Sequence, residues 1–336
     1  MLFHEQRRSK RIDKKVFPVH LVIPSVSCNN FIVEISERLK LLYKHWQKHT
    51  DIYAKRSNEV IYSSSIYEDI TAFITERMLI FNKKEYGEEI PYTRDPILSI
   101  YRFCNIYREL DRQTIFFHTL LKPIESNFSL WLLNMLFCRS ICNTETIKKI
   151  GLLSFDVKHN EQVYTKLLNL PSPKYGNAYV FPISVIQKSS WPTREKFFCY
   201  YYPTAIQEIA EYIESFENIS VTSALRKILP VFGFNVKFLW TEVLIDVAYQ
   251  FPTFIDLFKE FPCGPGSIPT MKLLNNKVTP EQTVLALTAT SVKDFPYLTL
   301  NGKPIKLSAE NWEGIGCEFR KYLNIRNGTG RKRRYY

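Results

Sequence analysis

Between residues 127 and 141 the chain offers no face on which a helix could meet water. Leu130, Trp131, Leu133, Met135, Leu136 and Phe137 leave almost nothing polar around the helical wheel. A helix of that kind is a core helix, stable only when other elements surround it. The chain is long enough to supply them: 336 residues, 45% hydrophobic and 23% charged, can bury a full core without disulfide staples. Helical spacing of apolar residues recurs over 30–47, 66–80, 97–104, 109–121, 164–168, 204–215, 222–229, 238–249, 268–274 and 309–325. Asp95 and Pro96 read as the cap and first residue of the helix over 97–104. Residues 16–26 read as extended. The proline-bearing stretch 171–195 reads as loop, with a short extended piece over 178–183. There is no repeat period and no alternation of strand and helix, so the expected fold is all-α, a multi-helix globular protein. Three parts are expected: a basic, extended N-terminal arm (1–28), one helical domain (29–327) and a basic tail (328–336).

Composition removes several function classes. With 11 glycines there is no G-x-G-x-x-G turn; Gly314 and Gly316 come nearest, and Phe319 stands where the third glycine belongs. No phosphate loop of the G-x-x-x-x-G-K-[ST] type occurs either. The 7 cysteines are scattered without C-x-x-C, and His45 and His49 lack the glutamate of a zinc helix, so neither a metal nor a cofactor is expected. No run of 18 apolar residues and no signal sequence is present, which points to an intracellular protein without a membrane partner. Its place would be nuclear in a eukaryote and cytoplasmic in a bacterium or phage. A net charge of +12 with 15% aromatic residues points to a polyanion as partner, nucleic acid first.

Four stretches carry possible chemistry. The densest is Tyr101-Arg102-Phe103-Cys104-Asn105-Ile106-Tyr107-Arg108-Glu109-Leu110-Asp111-Arg112. As a helix, it puts Tyr101, Asn105 and Arg108 on one face, where arginine forks can grip phosphate while a carboxylate handles a proton. The same charges can equally pair to hold a helix junction. Leu229-Pro230-Val231-Phe232-Gly233-Phe234-Asn235 has the outline of a helix-hairpin-helix turn, with Asn235 where a second glycine would stand; an ordinary turn between helices fits it as well. Gly264-Pro265-Gly266-Ser267 makes a rigid turn whose N–H groups could face an anion, with Ser267 as cap, or a plain loop. The last stretch joins Glu318, Lys321 and Tyr322 to the tail residues Arg331 and Arg333, a phosphate-contact segment or a solvated charge run.

Taken together, these stretches resemble the helical-domain family of the 5-hydroxymethyl-deoxyuridine (5-hmdU) DNA kinases and the related α-glutamyl/putrescinyl-thymine pyrophosphorylases. The resemblance runs from Thr93-Arg94-Asp95-Pro96-Ile97 through the 101–114 block, 127–139, 176–179, 233–246 and 264–266 to 317–322. It implies a fold similar to helix-hairpin-helix DNA glycosylases and, as substrate, a modified pyrimidine in DNA turned out of the stack. In the pyrophosphorylase branch an amine or amino acid displaces pyrophosphate from the 5-methylene group. The kinase branch carries a separate phosphate-loop domain that this sequence does not show, so kinase activity is not expected. By the resemblance, Arg102, Asn105, Arg108, Asp111 and Arg112 match the first motif; Gly233, Asp246, Gly264 and Gly266 the later ones; Glu318 and Tyr322 the last. Asp111 or Asp246 would be the general base, with Glu318 a further catalytic carboxylate. Tyr101, Asn235 and Lys321 would join the substrate and phosphate contacts. Arg108→Ala would abolish turnover and leave the fold intact. Two other readings stay open: a non-catalytic reader of modified DNA, and a glycosylase-like enzyme using Asp256 or Asp246. Convergence of Arg102, Arg108, Asp111 and Glu318 on one concave site would favour chemistry or base capture. The oligomeric state is left open.

Overall fold

A computed structural model describes residues 33–34, 63–176, 181–289, 298–300 and 303–330. They are mostly helical. Along the chain run α1 (Ser64–Glu85), a 3-10 turn (Arg108–Leu110), α2 (Arg112–Leu121), α3 (Phe128–Ile141), α4 (Thr144–Ile150) and α5 (Val157–Asn169). Then come α6 (Ile183–Ile186) and α7 (Arg194–Lys196), which passes through a π-helical stretch (Phe197–Tyr201) into α8 (Tyr202–Glu214). The rest is α9 (Val221–Phe232), α10 (Lys237–Gln250), α11 (Ile268–Leu274), α12 (Pro280–Leu287) and α13 (Ala309–Arg326). Five short strands complete it: β1 (Val33–Glu34), β2 (Ile219–Ser220), β3 (Ile255–Asp256), β4 (Leu298–Leu300) and β5 (Lys303–Pro304). β2 lies parallel to β3, with Ile219 opposite Ile255; β4 lies between a parallel β1 and an antiparallel β5. No described helix is long and apolar enough to cross a membrane.

The helix without a polar face is indeed central. Asn127 starts α3 by accepting the Leu130 N–H at 3.0 Å, and Cys142 ends it in the left-handed region at φ 51°. In between, Trp131, Leu132, Leu133 and Met135 through Cys138 are shut off from solvent. Each such leucine contributes about 1.5–3 kcal/mol on burial. Around α3 pack α2, α4, α8 and α10. α10 is itself buried on nearly every side, through Trp240, Val243, Leu244, Val247 and Ala248. Two helices with almost no solvent-facing place for charge therefore lie side by side, and their buried charges, Arg139 and Asp246, meet each other.

Several expected elements differ. Val33 and Glu34 pair as strand with Leu298 and Thr299, which overturns the helix over 30–47 at that point. The rest of that helix, the 1–28 arm, the 178–180 piece and the 331–336 tail lie outside the described residues. Ile183 opens a helical turn rather than closing an extended piece. No helix forms over 97–104. Asp95 does cap, accepting from the N–H groups of Ile97 and Leu98 at 2.8 Å each, but what it caps is a turn. Beyond it the backbone is bonded by side chains: Arg77 donates to the carbonyls of Phe103 and Cys104 at 3.1 Å each, and Lys321 donates to that of Arg102. With those partners in place, the segment loses nothing by staying out of the helical ladder. α4 and α12 were not foreseen. α12 starts on a capping box formed by Thr279 and Gln282.

Candidate functional site

The charges of the two core helices form a buried network. Asp246 of α10 is fully buried and accepts a bidentate pair from Arg139 of α3, at 2.6 Å (Nε) and 2.7 Å (Nη2). Arg139 also donates to Thr114 Oγ1 at 3.1 Å, and His118 Nε2 lies 3.1 Å from Asp246 Oδ1. Arg108 completes the network, pairing with Glu242 and standing 3.8 Å from Asp246. Burial alone would raise the Asp246 carboxyl, but Arg139 and Arg108 outweigh it and hold the group well below the usual carboxylate range. Asp246 was expected as a catalytic base. It anchors an ion network and does not line the cleft described next.

Above this network opens a cleft of about 870 Å³. One wall is the 104–111 segment, a second the start of α10, a third the 261–266 turn, and the fourth α13 with Gly330. Glu318 accepts the Cys104 N–H at 3.0 Å and Lys321 Nζ at 3.2 Å, tying α13 to the first wall. Asp111 accepts the Asn105 N–H at 3.1 Å. Asn105, Arg108, Asp111, Gly264, Gly266, Glu318 and Lys321, all foreseen, line this cleft.

Other expected site residues stand elsewhere. Tyr101, Arg102 and Arg112 do not line the cleft, and the two arginines are exposed. The shared face of Tyr101, Asn105 and Arg108 required a helix that is not there. Tyr322 turns inward, packs against Phe73 and donates to Asp95 Oδ2 at 2.7 Å. Gly233 and Asn235 line a separate groove of about 890 Å³, which shares Lys237 and Pro262 with the cleft. Gly233 ends α9 at φ 73°. Asn235 is not left-handed; Cys142 and Asn218 are the non-glycine residues with positive φ among the described residues. Asp256 accepts the Phe258 N–H at 2.8 Å inside a turn and lines neither space. Arg331 and Arg333 lie outside the described residues.

The turn expected to offer N–H groups to a ligand already holds a carboxyl of the protein itself. Glu313 Oε1 accepts the Gly264 N–H at 3.0 Å and the Ser267 hydroxyl at 2.7 Å, so Ser267 does not cap α11. Gly264 keeps this approach open, since a Cβ there would stand 3.2 Å from Glu313 Oε1. At Gly266 a Cβ would stand 2.5 Å from Cys317 Sγ. Gly266→Ala is therefore expected to lower stability by about 1–3 kcal/mol through overpacking, seen as a lower urea midpoint. An unchanged midpoint would show that the contact yields freely.

The carboxyls of the cleft fall into different states. Burial pushes Asp111 up to about 6, against the Asn105 N–H and the charges of Arg108 and Arg139. Burial and then the neighbouring Glu109 push Glu310 up to about 8, while the hydroxyls of Ser308 and Tyr249 work the other way. Burial likewise raises Glu313. Glu310, Glu313, Glu242 and Lys237 had not been singled out from sequence; nothing in their spacing ties them to the 101–112 block. Among the described residues no three His, Cys, Asp or Glu side chains are grouped so as to hold a metal ion. The cleft thus pairs proton-handling carboxyls with cationic walls at Arg108, Lys237, Arg320 and Lys321.

Fold and cleft together define a mostly helical domain whose site is assembled from four distant stretches over a buried ion network. Residues 64–331 match the family model described as 5-hmdU DNA kinase, helical domain, and the chain belongs to that family. The family is one of thymine hypermodification in DNA. No curated protein and no solved structure matches the chain.

Proposed function

We propose that the protein modifies a 5-substituted thymine of the 5-hydroxymethyluracil type in DNA, by letting an amine displace pyrophosphate from the 5-methylene group of a base turned out of the stack. The observation that carries this reading is the convergence of Asn105, Arg108, Asp111, Gly264 and Glu318 on one cleft. Its volume suits a nucleotide-sized ligand. The acid-lined walls draw in an amine as its ammonium ion, and Asp111 takes the proton that the nitrogen must shed. Lys237, Arg320 and Lys321 balance the charge of the departing pyrophosphate. The +12 charge of the chain favours the DNA backbone.

The test is a reaction of the purified chain with duplex DNA carrying pyrophosphorylated 5-hydroxymethyluracil and a panel of amines. The DNA is then digested to nucleosides for mass spectrometry. The expected result is a nucleoside in which the amine has replaced pyrophosphate, with free pyrophosphate released. One observation favours a second reading, a non-catalytic reader of modified bases: Arg108 is engaged by Glu242 and Asp246, and Arg102 lies outside the cleft. That reading expects no product, but binding of 5-hydroxymethyluracil DNA over plain DNA that persists as salt is raised. Equal, steeply salt-dependent binding of both DNAs would exclude base capture.

A further inference from the structure

Glu310 sits in the first turn of α13, only 3% exposed, yet it forms part of the cleft wall. Its Oε1 accepts from the Tyr249 hydroxyl at 3.0 Å and from the Asn311 amide at 3.3 Å. The same two donors reach Glu109 Oε2, at 3.4 Å and 3.2 Å, and Glu109 is also fully buried. Two carboxylates that share donors in the interior disfavour each other's charge, and a proton on one of them relieves the conflict. Oε1 of Glu310 is filled by two donors, whereas Oε2 has no hydrogen-bond partner among the described residues. A proton on Oε2 leaves both bonds to Oε1 intact and meets no hydrogen-bond partner among the described residues.

We propose that Glu310 is the proton donor of the cleft, the acid that protonates the oxygen of the departing pyrophosphate. This role rests on the amine-for-pyrophosphate reading. The nitrogen lone pair forms the bond to the 5-methylene carbon as the carbon–oxygen bond to pyrophosphate breaks. The bonding electrons leave on the pyrophosphate oxygen, which takes the proton from Glu310 Oε2. Asp111 takes the proton from the nitrogen, and exchange with water restores both carboxyls. The groups that face Glu310 are Glu109 from the 3-10 turn, Tyr249 from α10, and Ser308 and Asn311 at the start of its own helix; Arg108 lies over the Tyr249 ring at 5.9 Å. At neutral pH, Asp111 is then charged and Glu310 neutral, the division of labour that an acid–base pair requires.

Two measurements on the full chain test this. Glu310→Gln keeps an acceptor for Tyr249 and Asn311 but cannot give up a proton. In wild type, infrared titration should show a protonated carboxyl band that disappears near pH 8, and in Glu310→Gln that band should be missing. Turnover in Glu310→Gln should fall by about 10²–10⁴-fold, and the decline of rate on the alkaline side should vanish. Glu109→Gln, which leaves Glu310 in place, should move that decline to lower pH. Absence of the band in wild type overturns the proposal. So does an active Glu310→Gln with an unchanged pH profile, which would leave the proposed reaction standing. A wild type that carries the band but yields no product overturns the reaction itself, and the donor role with it.

Discussion

Asp246→Ala is expected to cost about 3–5 kcal/mol of folding stability, because removing one partner of a buried ion pair leaves the other charge uncompensated. Here the abandoned charge is Arg139, fully enclosed and bonded to the carboxylate through two nitrogens, with Arg108 and His118 around it. The measurement is urea unfolding of the variant beside the wild type, read as a shift of midpoint at constant slope. A loss below 1 kcal/mol, the scale of an exposed pair, would contradict the network's role. The pH dependence has a definite sign. The folded-state pKa of Asp246 is depressed, so its stabilisation is complete above the ordinary carboxylate value of about 3.9 and is lost as pH falls through the folded value. Acid unfolding of the wild type should therefore draw on this group, and the alanine variant should show a correspondingly flatter acid limb.

Asp111→Asn should have the opposite profile: turnover reduced by about 10²–10⁴-fold with no loss of stability. Asp111 is held at about 6, above its unfolded value, so folding favours its neutral form. Stability on its account declines as pH rises from about 4 to about 6 and is level beyond that. An asparagine carries no such penalty, so the variant should be at least as stable as wild type at pH 7. Nucleoside analysis gives the activity, and urea midpoints at pH 5 and pH 7 give the stability. Wild-type activity in Asp111→Asn would move the base elsewhere, and a large loss of stability would mean that its bond to the Asn105 N–H outweighs its burial.

The contrast between these aspartates shows what could be read from the chain. Both sit in motif stretches with the right chemistry, but a buried carboxylate looks the same in sequence whether it faces a cleft or a partner such as Arg139. For Asp246 this is decided by how α3 and α10 are turned toward each other, and their apolar periodicity is too uniform to say. The core helix was legible because its lack of a polar face admits one environment. α11 was legible to the residue because Pro269 and its apolar spacing bound it tightly. The 97–104 stretch misled because helical spacing was present while the backbone's partners, Arg77, Glu318 and Lys321, come from elsewhere in the chain. Glu310 was invisible for the same reason: its state depends on Glu109, and only the packed structure brings the two onto shared donors. The start of α12 is written plainly as Thr279-Pro280-Glu281-Gln282, a capping signal that apolar period alone does not carry.

The 102–104 backbone, which runs into the cleft wall at Cys104, has a consequence for how this site can change. Held by side chains of α1 and α13 instead of by a ladder of its own, it has no independent cooperativity, and its position follows wherever those helices settle. The width of the opening is then an inherited quantity, set where α13 meets α11 and Gly316 lets Met271 and Ser267 approach closely. A new methyl group at that contact, just behind the wall residues Gly266 and Cys317, would re-space the entrance while every residue that lines the cleft stayed the same. Selectivity in such a molecule can drift by substitutions behind the cleft wall, which leave its lining intact.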